Sequence, residues 1–370
     1  MANEDKATRY QRLRRRTFLL GTAWQAVLLV AILVTGGSSA LRLAIESRVG
    51  PGFAIVCFLY VLAIGVLYEL VRLPLAFYHG VVLERRYSLS TETTGRWWTD
   101  HVTSSAITLG CLVAGALLVS SLLRWSPDRW WIAAAVSFAA TLVLLAKLMP
   151  AVLLPFFYDV KPLAREPLGS RLLALADRAG ARVLGVFEWR VGDRTRKASA
   201  ALVGIGSGRR ILVSDTLLAE HSDEEIEAVL AHEIAHDARG HVWSAIALEA
   251  GLIALGCYAA DAALTVLGPA LDLEGKSDIA ALPLVALAVG AVSFASMPVT
   301  NALSRAHERT ADRDALEMTR NQAAFISAMK RLAGRNLAEE RPSRLIELLF
   351  HTHPSTAARI EAAKQLDSRL

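Results

Sequence analysis

Cysteine is scarce in this chain: Cys57, Cys111 and Cys257 are the only three among 370 residues, and no Cys-x-x-Cys pair occurs. This excludes a disulfide framework and a thiolate metal site, and leaves the thiols as small core or lipid-facing residues. Internal repeats and low-complexity tracts are also missing. The net charge of +5 would suit nucleic acid, but no stacking module or groove-reading motif accompanies the basic residues. Nucleic acid is therefore not an expected partner, and membrane topology accounts better for the basic balance.

The chain does have apolar residues in excess, at 54%, with a mean hydropathy of +0.37, too apolar for a soluble protein with 20% charged residues. They fall in six blocks at about Phe18 to Val34, Phe53 to Val71, Val102 to Leu123, Trp130 to Met149, Trp243 to Leu267 and Ala281 to Leu303. Each is long enough, or nearly so, to cross an apolar layer of ~30 Å as a helix. The first block follows Arg9, Arg12, Arg14, Arg15 and Arg16. Arg15-Arg16-Thr17-Phe18-Leu19 resembles a twin-arginine export signal and Ser38-Ser39-Ala40 a cleavage site, but the five later blocks favour an uncleaved first span.

Segments 1–17, 73–101, 150–242 and 304–370 hold most of the Lys and Arg, which predicts that both termini lie inside, in a bacterial cytoplasmic membrane or, in a eukaryote, the endoplasmic reticulum. The expected architecture is mainly α: a polytopic membrane protein with a small α+β domain at the cytoplasmic face. Four parts are expected: 1–149 with four spans, a cytoplasmic segment 150–242, 243–303 with two further spans, and a helical part 304–370. Within 150–242, a stretch with Pro150, Pro155, Pro162 and Pro167 precedes an amphipathic helix from about Ser170 to Ala179. Val183 to Trp189 and Ala198 to Ile205 read as strands, and Gly206-Ser207-Gly208 turns the second into a hairpin with Arg210 to Val213.

The chemistry sits in His232-Glu233-Ile234-Ala235-His236, within a helical run from Ser222 to His241. At about 100° per residue, His232 and His236 lie about 40° apart on one face and can reach one metal ion. That is a zinc pair. Glu233, about 100° round from His232, can contact an attacking water without occupying a ligand position, as a general base must. Ser222 with Glu225 reads as a capping box, and Asp223, Glu224 and Glu225 suit the positive end of the helix dipole.

A catalytic zinc takes three protein ligands. His241 lies about 140° round the helix from His236, off the zinc face, and Arg239 and Val242 stand where the longer metzincin pattern needs glycine and histidine. Glu308 is the best candidate for the third ligand, with Asp312 one turn on to fix a histidine tautomer, and His307 is its rival. Glu249 and Asp261, inside the fifth block, are candidates for lining a polar cavity.

The chain resembles the type I CAAX prenyl endopeptidases, and more distantly the HtpX-type membrane quality-control proteases. Beyond the zinc motif with Gly240-His241, the resemblance rests on Leu73-Pro74-Leu75-Ala76-Phe77-Tyr78, Glu84-Arg85-Arg86-Tyr87, Pro155-Phe156-Phe157 with Lys161-Pro162-Leu163, Val213-Ser214-Asp215-Thr216-Leu217-Leu218, Glu308-Arg309-Thr310-Ala311-Asp312 and Thr352-His353-Pro354 with Arg359. It implies an integral-membrane zinc metalloprotease in which His232, His236 and Glu308 hold one zinc per chain and Glu233 is the base. It further implies that His353 donates a hydrogen bond to the oxyanion and that Arg359 braces the site or the peptide. Ser199, Ala200, Ala201 and Leu202 occupy the substrate-facing edge strand, where members usually carry an Asn-Ala pair in place of Ser199-Ala200. Eukaryotic members carry an extra N-terminal span absent from these six.

The expected function is a membrane-embedded zinc endopeptidase whose partners are the lipid bilayer and a peptide or protein substrate, prenylated or membrane-inserted. An HtpX-like protease for misfolded membrane proteins shares the chemistry. A transporter or a non-catalytic scaffold is the reading from another class, but no paired broken helices or two-fold symmetry appear.

Overall fold

The computed structural model describes residues 5–148, 159–193, 195–204 and 208–367. Met149, the prolines at 150 and 155, Phe156, Phe157, Ile205, Gly206 and Ser207, all used in the expectations above, lie outside the described residues.

Among the described residues, five helices are long and apolar enough to span a membrane: Lys6–Val34 (α1), Phe53–Arg86, Thr94–Trp125 (α4), His241–Leu267 (α9) and Ile279–Thr319. The second comprises Phe53–Phe77 (α3), a wide turn over Tyr78–Leu83 and a last turn at Glu84–Arg86. The expected fourth span is the helix Trp130–Leu148 (α5), 19 residues in its described part, packed along α9. Large apolar side chains such as Leu20, Leu70, Val136 and Val266 remain exposed on these helices, as lipid-facing residues must. The loop expected after the first span contains a further helix, Gly37–Val49 (α2), whose Arg42 pairs with Glu274 and Asp278 across the same end of the bundle.

The remainder forms a small α+β layer. A four-stranded sheet runs in the order β1-β2-β4-β3, with Val160–Pro162 as β1, Val183–Trp189 as β2, Ala200–Val203 as β3 and Arg209–Ser214 as β4. β3 and β4 form the expected antiparallel hairpin, with Ala200 opposite Val213 and Leu202 opposite Ile211, while β2 runs parallel to β4. β3 is therefore an edge strand. The helix Glu166–Arg178 (α6) starts earlier than its apolar stripe suggested, because Pro167 is well placed in a first helical turn. Its Leu168, Leu172 and Leu175 pack with Ile211, Val213, Ile226, Leu230, Ile234 and Phe325 in one core.

Ser214 caps the short helix Asp215–Glu220 (α7) and Ser222 caps Asp223–Ala238 (α8) with the full capping box. The helical run expected from Ser222 to His241 is broken: α8 ends at Ala238, Gly240 takes the left-handed conformation at φ +64°, and His241 starts α9. The last span and the segment beyond it are instead continuous, as the 38-residue helix Leu282–Thr319 (α10), followed by Gln322–Arg335 (α11), Arg344–Phe350 (α12) and Thr356–Asp367 (α13).

Candidate metal centre

α8 is buried along most of its length, with Ile226, Ala231, Ile234 and Ala235 at most 1% exposed. Small residues at 228, 231 and 235 let α10 pack closely along it. This contact brings Glu308, on the C-terminal half of α10, up to the two histidines, 76 and 72 positions earlier in the chain. His232 Nε2 lies 3.1 Å from His236 Nε2 and 3.4 Å from Glu308 Oε2, and His236 Nε2 lies 3.2 Å from Glu308 Oε1. Among the described residues this is the one group of three or more His, Cys, Asp or Glu side chains able to hold a metal ion, with all ligand atoms within 4.8 Å of one another.

The cluster has a built rear wall. His232 Nδ1 lies 2.9 Å from Asp312 Oδ1, one turn along α10 from Glu308. The Arg359 guanidinium holds Asp312 with two hydrogen bonds, 2.8 Å from Nε and 2.5 Å from Nη2. Burial alone would lower the His232 pKa, but hydrogen bonds to Asp312 and Glu308 raise it to about 9. Two carboxylates thus favour positive charge between the imidazoles. Glu233 is raised above the ordinary carboxylate range, chiefly by burial. His353 Nδ1 stands 2.7 Å from Glu308 Oε2 at the mouth of the cluster, its side chain 61% exposed.

His241 is placed differently from its expected position. Because the chain turns at Gly240, His241 comes back against the cluster, with its Nδ1 2.9 Å from His236 Nδ1 and its Nε2 3.2 Å from Thr310 Oγ1. The angular argument that set it aside holds only for an unbroken helix, and the Gly240 signal for a helix end was present in the sequence. His307 does not join the ligand group: its ring stacks on His241 at 4.1 Å and its Nε2 lies 3.0 Å from Ser244 Oγ. The three-histidine alternative is therefore not assembled. Nor do Glu249 and Asp261 share a cavity, since Glu249 is exposed and Asp261 is bound by Trp130 Nε1 at 2.8 Å and Lys276 Nζ at 2.7 Å. Arg305, which sequence reasoning did not single out, ties its Nη1 to the carbonyls of Glu347 and His351 at 2.8 and 2.6 Å and so holds the approach to His353.

Ala200 to Leu202 lie on β3, which packs against α8, and Ala200 and Leu202 turn toward the core beneath it. Ser199 precedes the strand, its N–H donating to Ser214 Oγ at 3.0 Å and its carbonyl accepting from Ser214 N–H at 3.0 Å.

A bundle of spanning helices that closes a His-Glu-x-x-His helix against a carboxylate as third ligand defines an integral-membrane metallopeptidase. The chain belongs to peptidase family M48: residues 162–367 match that family's model, and residues 2–159 match the CAAX prenyl protease N-terminal model, described as having five membrane helices. It is 30% identical over 364 residues to the uncharacterized metalloprotease YhfN of Bacillus subtilis, covering 97% of this chain and 85% of that one. CAAX prenyl protease 1 of Saccharomyces cerevisiae is 32% identical over 190 residues, which is 50% of this chain and 41% of the yeast protein. A protease HtpX homolog of Streptococcus pneumoniae is 28% identical over 178 residues. The crystal structure of S. mikatae Ste24p shares the fold, with a TM-score of 0.85 at 20% identity over 97% of this chain and 88% of that one.

Proposed function

We propose that His232, His236 and Glu308 hold a zinc ion and that the chain cleaves peptides at the cytoplasmic surface of the membrane. The observation that carries this reading is the ligand geometry. Ligands 2.0–2.1 Å from a tetrahedral zinc stand about 3.3 Å apart, and the three closest approaches here are 3.1, 3.2 and 3.4 Å. Glu308 is also buried among imidazoles, with His353 Nδ1 at 2.7 Å and His232 Nε2 at 3.4 Å from its Oε2, so its carboxylate already sits where positive charge is favoured. The mixed nitrogen and oxygen donor set suits zinc best among common ions.

When bound, zinc would supply a Lewis acid that lowers the pKa of water at the site toward ~7 and polarises the scissile carbonyl. Glu233 takes the proton of the attacking water at its carboxylate and returns it to the leaving amine. Its burial, which disfavours the charged form, makes it the stronger base. His353 donates to the oxyanion in this reading, supported by its exposed position beside Glu308. Arg359 acts through Asp312 as a positioning residue, because its two shortest hydrogen bonds go there and its Nη2 lies 3.4 Å from His232 Nδ1 behind the cluster. The free edge of β3 offers backbone groups to an extended peptide, with Ser199 to Leu202 as its contact. The match of residues 2–159 to a CAAX prenyl protease region supports a prenylated C-terminal peptide as substrate. The alternative, misfolded membrane proteins, rests on the HtpX-type relatives.

The test is metal content and peptide cleavage on the purified chain. Wild type and Glu233→Gln should each carry about one zinc, Glu308→Ala should lose it, and Glu233→Gln should cut at least ~100-fold more slowly. Loss of zinc from Glu233→Gln would remove the base assignment. Equal rates on prenylated and unprenylated peptides would remove the lipid-modified substrate.

A further inference from the structure

A second cavity lies away from the metal centre, between α1, α3 and α10, with a volume of about 580 Å³. That is ample for a small ligand. Arg14, Phe18, Thr22 and Gln25 line it at spacings of three and four residues, which is one face of α1. Arg72, Leu75 and Ala76 face them from α3 with the same spacing, and Met297 and Phe350 complete the wall. Arg15 also contributes, and no carboxylate lines the space.

Arginines on two helices therefore line one gap, beside the polar Gln11, Thr17 and His79 as well as Phe18, Leu75 and Met297. Such an arrangement is repulsive unless something anionic lies between them. Two of these arginines have a carboxylate partner outside the cavity lining. Glu339 takes Arg15 at 2.6 Å. Glu69, 3.5 Å from Arg72, also accepts from Ser105 at 3.1 Å and lies 2.9 Å from His101.

The depth of the cavity narrows the ligand class. The basic run of α1 stops at Arg16, and lipid-exposed Phe18, Leu19 and Leu20 follow at once. On α3, Arg72 follows exposed Leu70 in the same way. The arginines thus stand at the level of the bilayer phosphates, with Phe18 and Met297 on the same wall. A guanidinium fork matches a phosphodiester, and an apolar wall matches the first carbons of an acyl chain.

We propose that this cavity binds the phosphodiester headgroup of an anionic glycerophospholipid taken from the surrounding bilayer. The lipid would bridge α1 and α3, neutralising Arg14 and Arg72 and fixing the approach of two helices that carry no ligand of the metal cluster.

The full chain purified in detergent, titrated with phosphatidylglycerol, phosphatidylcholine or inorganic phosphate, provides the test, read by thermal unfolding and by native mass spectrometry of retained lipid. Phosphatidylglycerol should bind wild type and raise its unfolding temperature, with phosphatidylcholine and free phosphate far weaker. The double variant Arg14→Gln, Arg72→Gln should bind phosphatidylglycerol about thirtyfold less tightly, the loss of two cationic contacts. Bound zinc equal to that of wild type would show the variant to be folded, and Arg72→Lys, which keeps the charge and loses the fork, should fall between. Equal binding of the two lipids overturns the headgroup assignment. Protection by inorganic phosphate as strong as by lipid overturns the bilayer source. Undiminished binding by the double variant overturns the site.

Discussion

His236 differs from His232 in what stands behind it. His232 backs onto a carboxylate, Asp312, and His236 onto another imidazole, His241. With Nε2 given to a metal, His236 must donate from Nδ1, so His241 Nδ1 must accept and His241 Nε2 must carry the hydrogen. That hydrogen points to Thr310 Oγ1, whose own proton goes to the His307 carbonyl at 2.8 Å. The chain of donors has one consistent direction and holds His241 neutral. His241→Ala should weaken metal binding 10- to 100-fold, the usual cost of losing such a partner, as measured by competition with a chelator. His241→Asn, which can still accept, should recover much of the loss. Unchanged affinity in His241→Ala would show the contact to be incidental.

Among the elements, the joint between α8 and α9 determines where His241 lies. Gly240 carries it at φ +64°, and a Cβ there would meet nothing closer than Trp243 Cδ1 at 3.9 Å. The obstacle to substitution is therefore conformational and not steric. Gly240→Ala should cost about 1–2 kcal/mol and shift the midpoint of thermal inactivation down by several degrees. Gly80 is the opposite case, since a Cβ there would stand 2.4 Å from Trp97 Nε1 in the wide turn that ends the second span. The elements legible in the sequence were those with a strong local signature: β2 with its bounds, the Ser222 capping box, the apolar spans and the histidine pair. Less legible were features set by contacts between elements. Helix α2 carries no long apolar run, the continuity of α10 past its apolar block is stabilised by packing on α8, and the folding back of His241 follows from one left-handed residue. Glu308 could be nominated by its neighbours, but its pairing with His232 and His236 is a product of how α8 lies along α10.

At the scale of the whole molecule, the soluble core draws on residues from both 150–242 and 304–370: Ile226 and Leu230 pack with Phe325, Ala328 and Ala363. The two segments must lie on one side of the membrane, which agrees with the concentration of the chain's Lys and Arg in them relative to the loops of the other side. Single cysteines placed at Ser277 and Ser343, in a chain whose three natural thiols are replaced, should react from opposite faces with an impermeant maleimide. Ser277 should be labelled in intact cells and Ser343 only after lysis. The reverse pattern would invert the proposed orientation.

The order in which the centre is assembled follows from α10. His232 and His236 are translated before the last two spans, whereas Glu308 and Asp312 come after them and Arg359 later still. A nascent chain paused anywhere before α10 has inserted carries two imidazoles and no third ligand. The proposed metal site is thus complete only once α10 has been made, however early its histidines emerge.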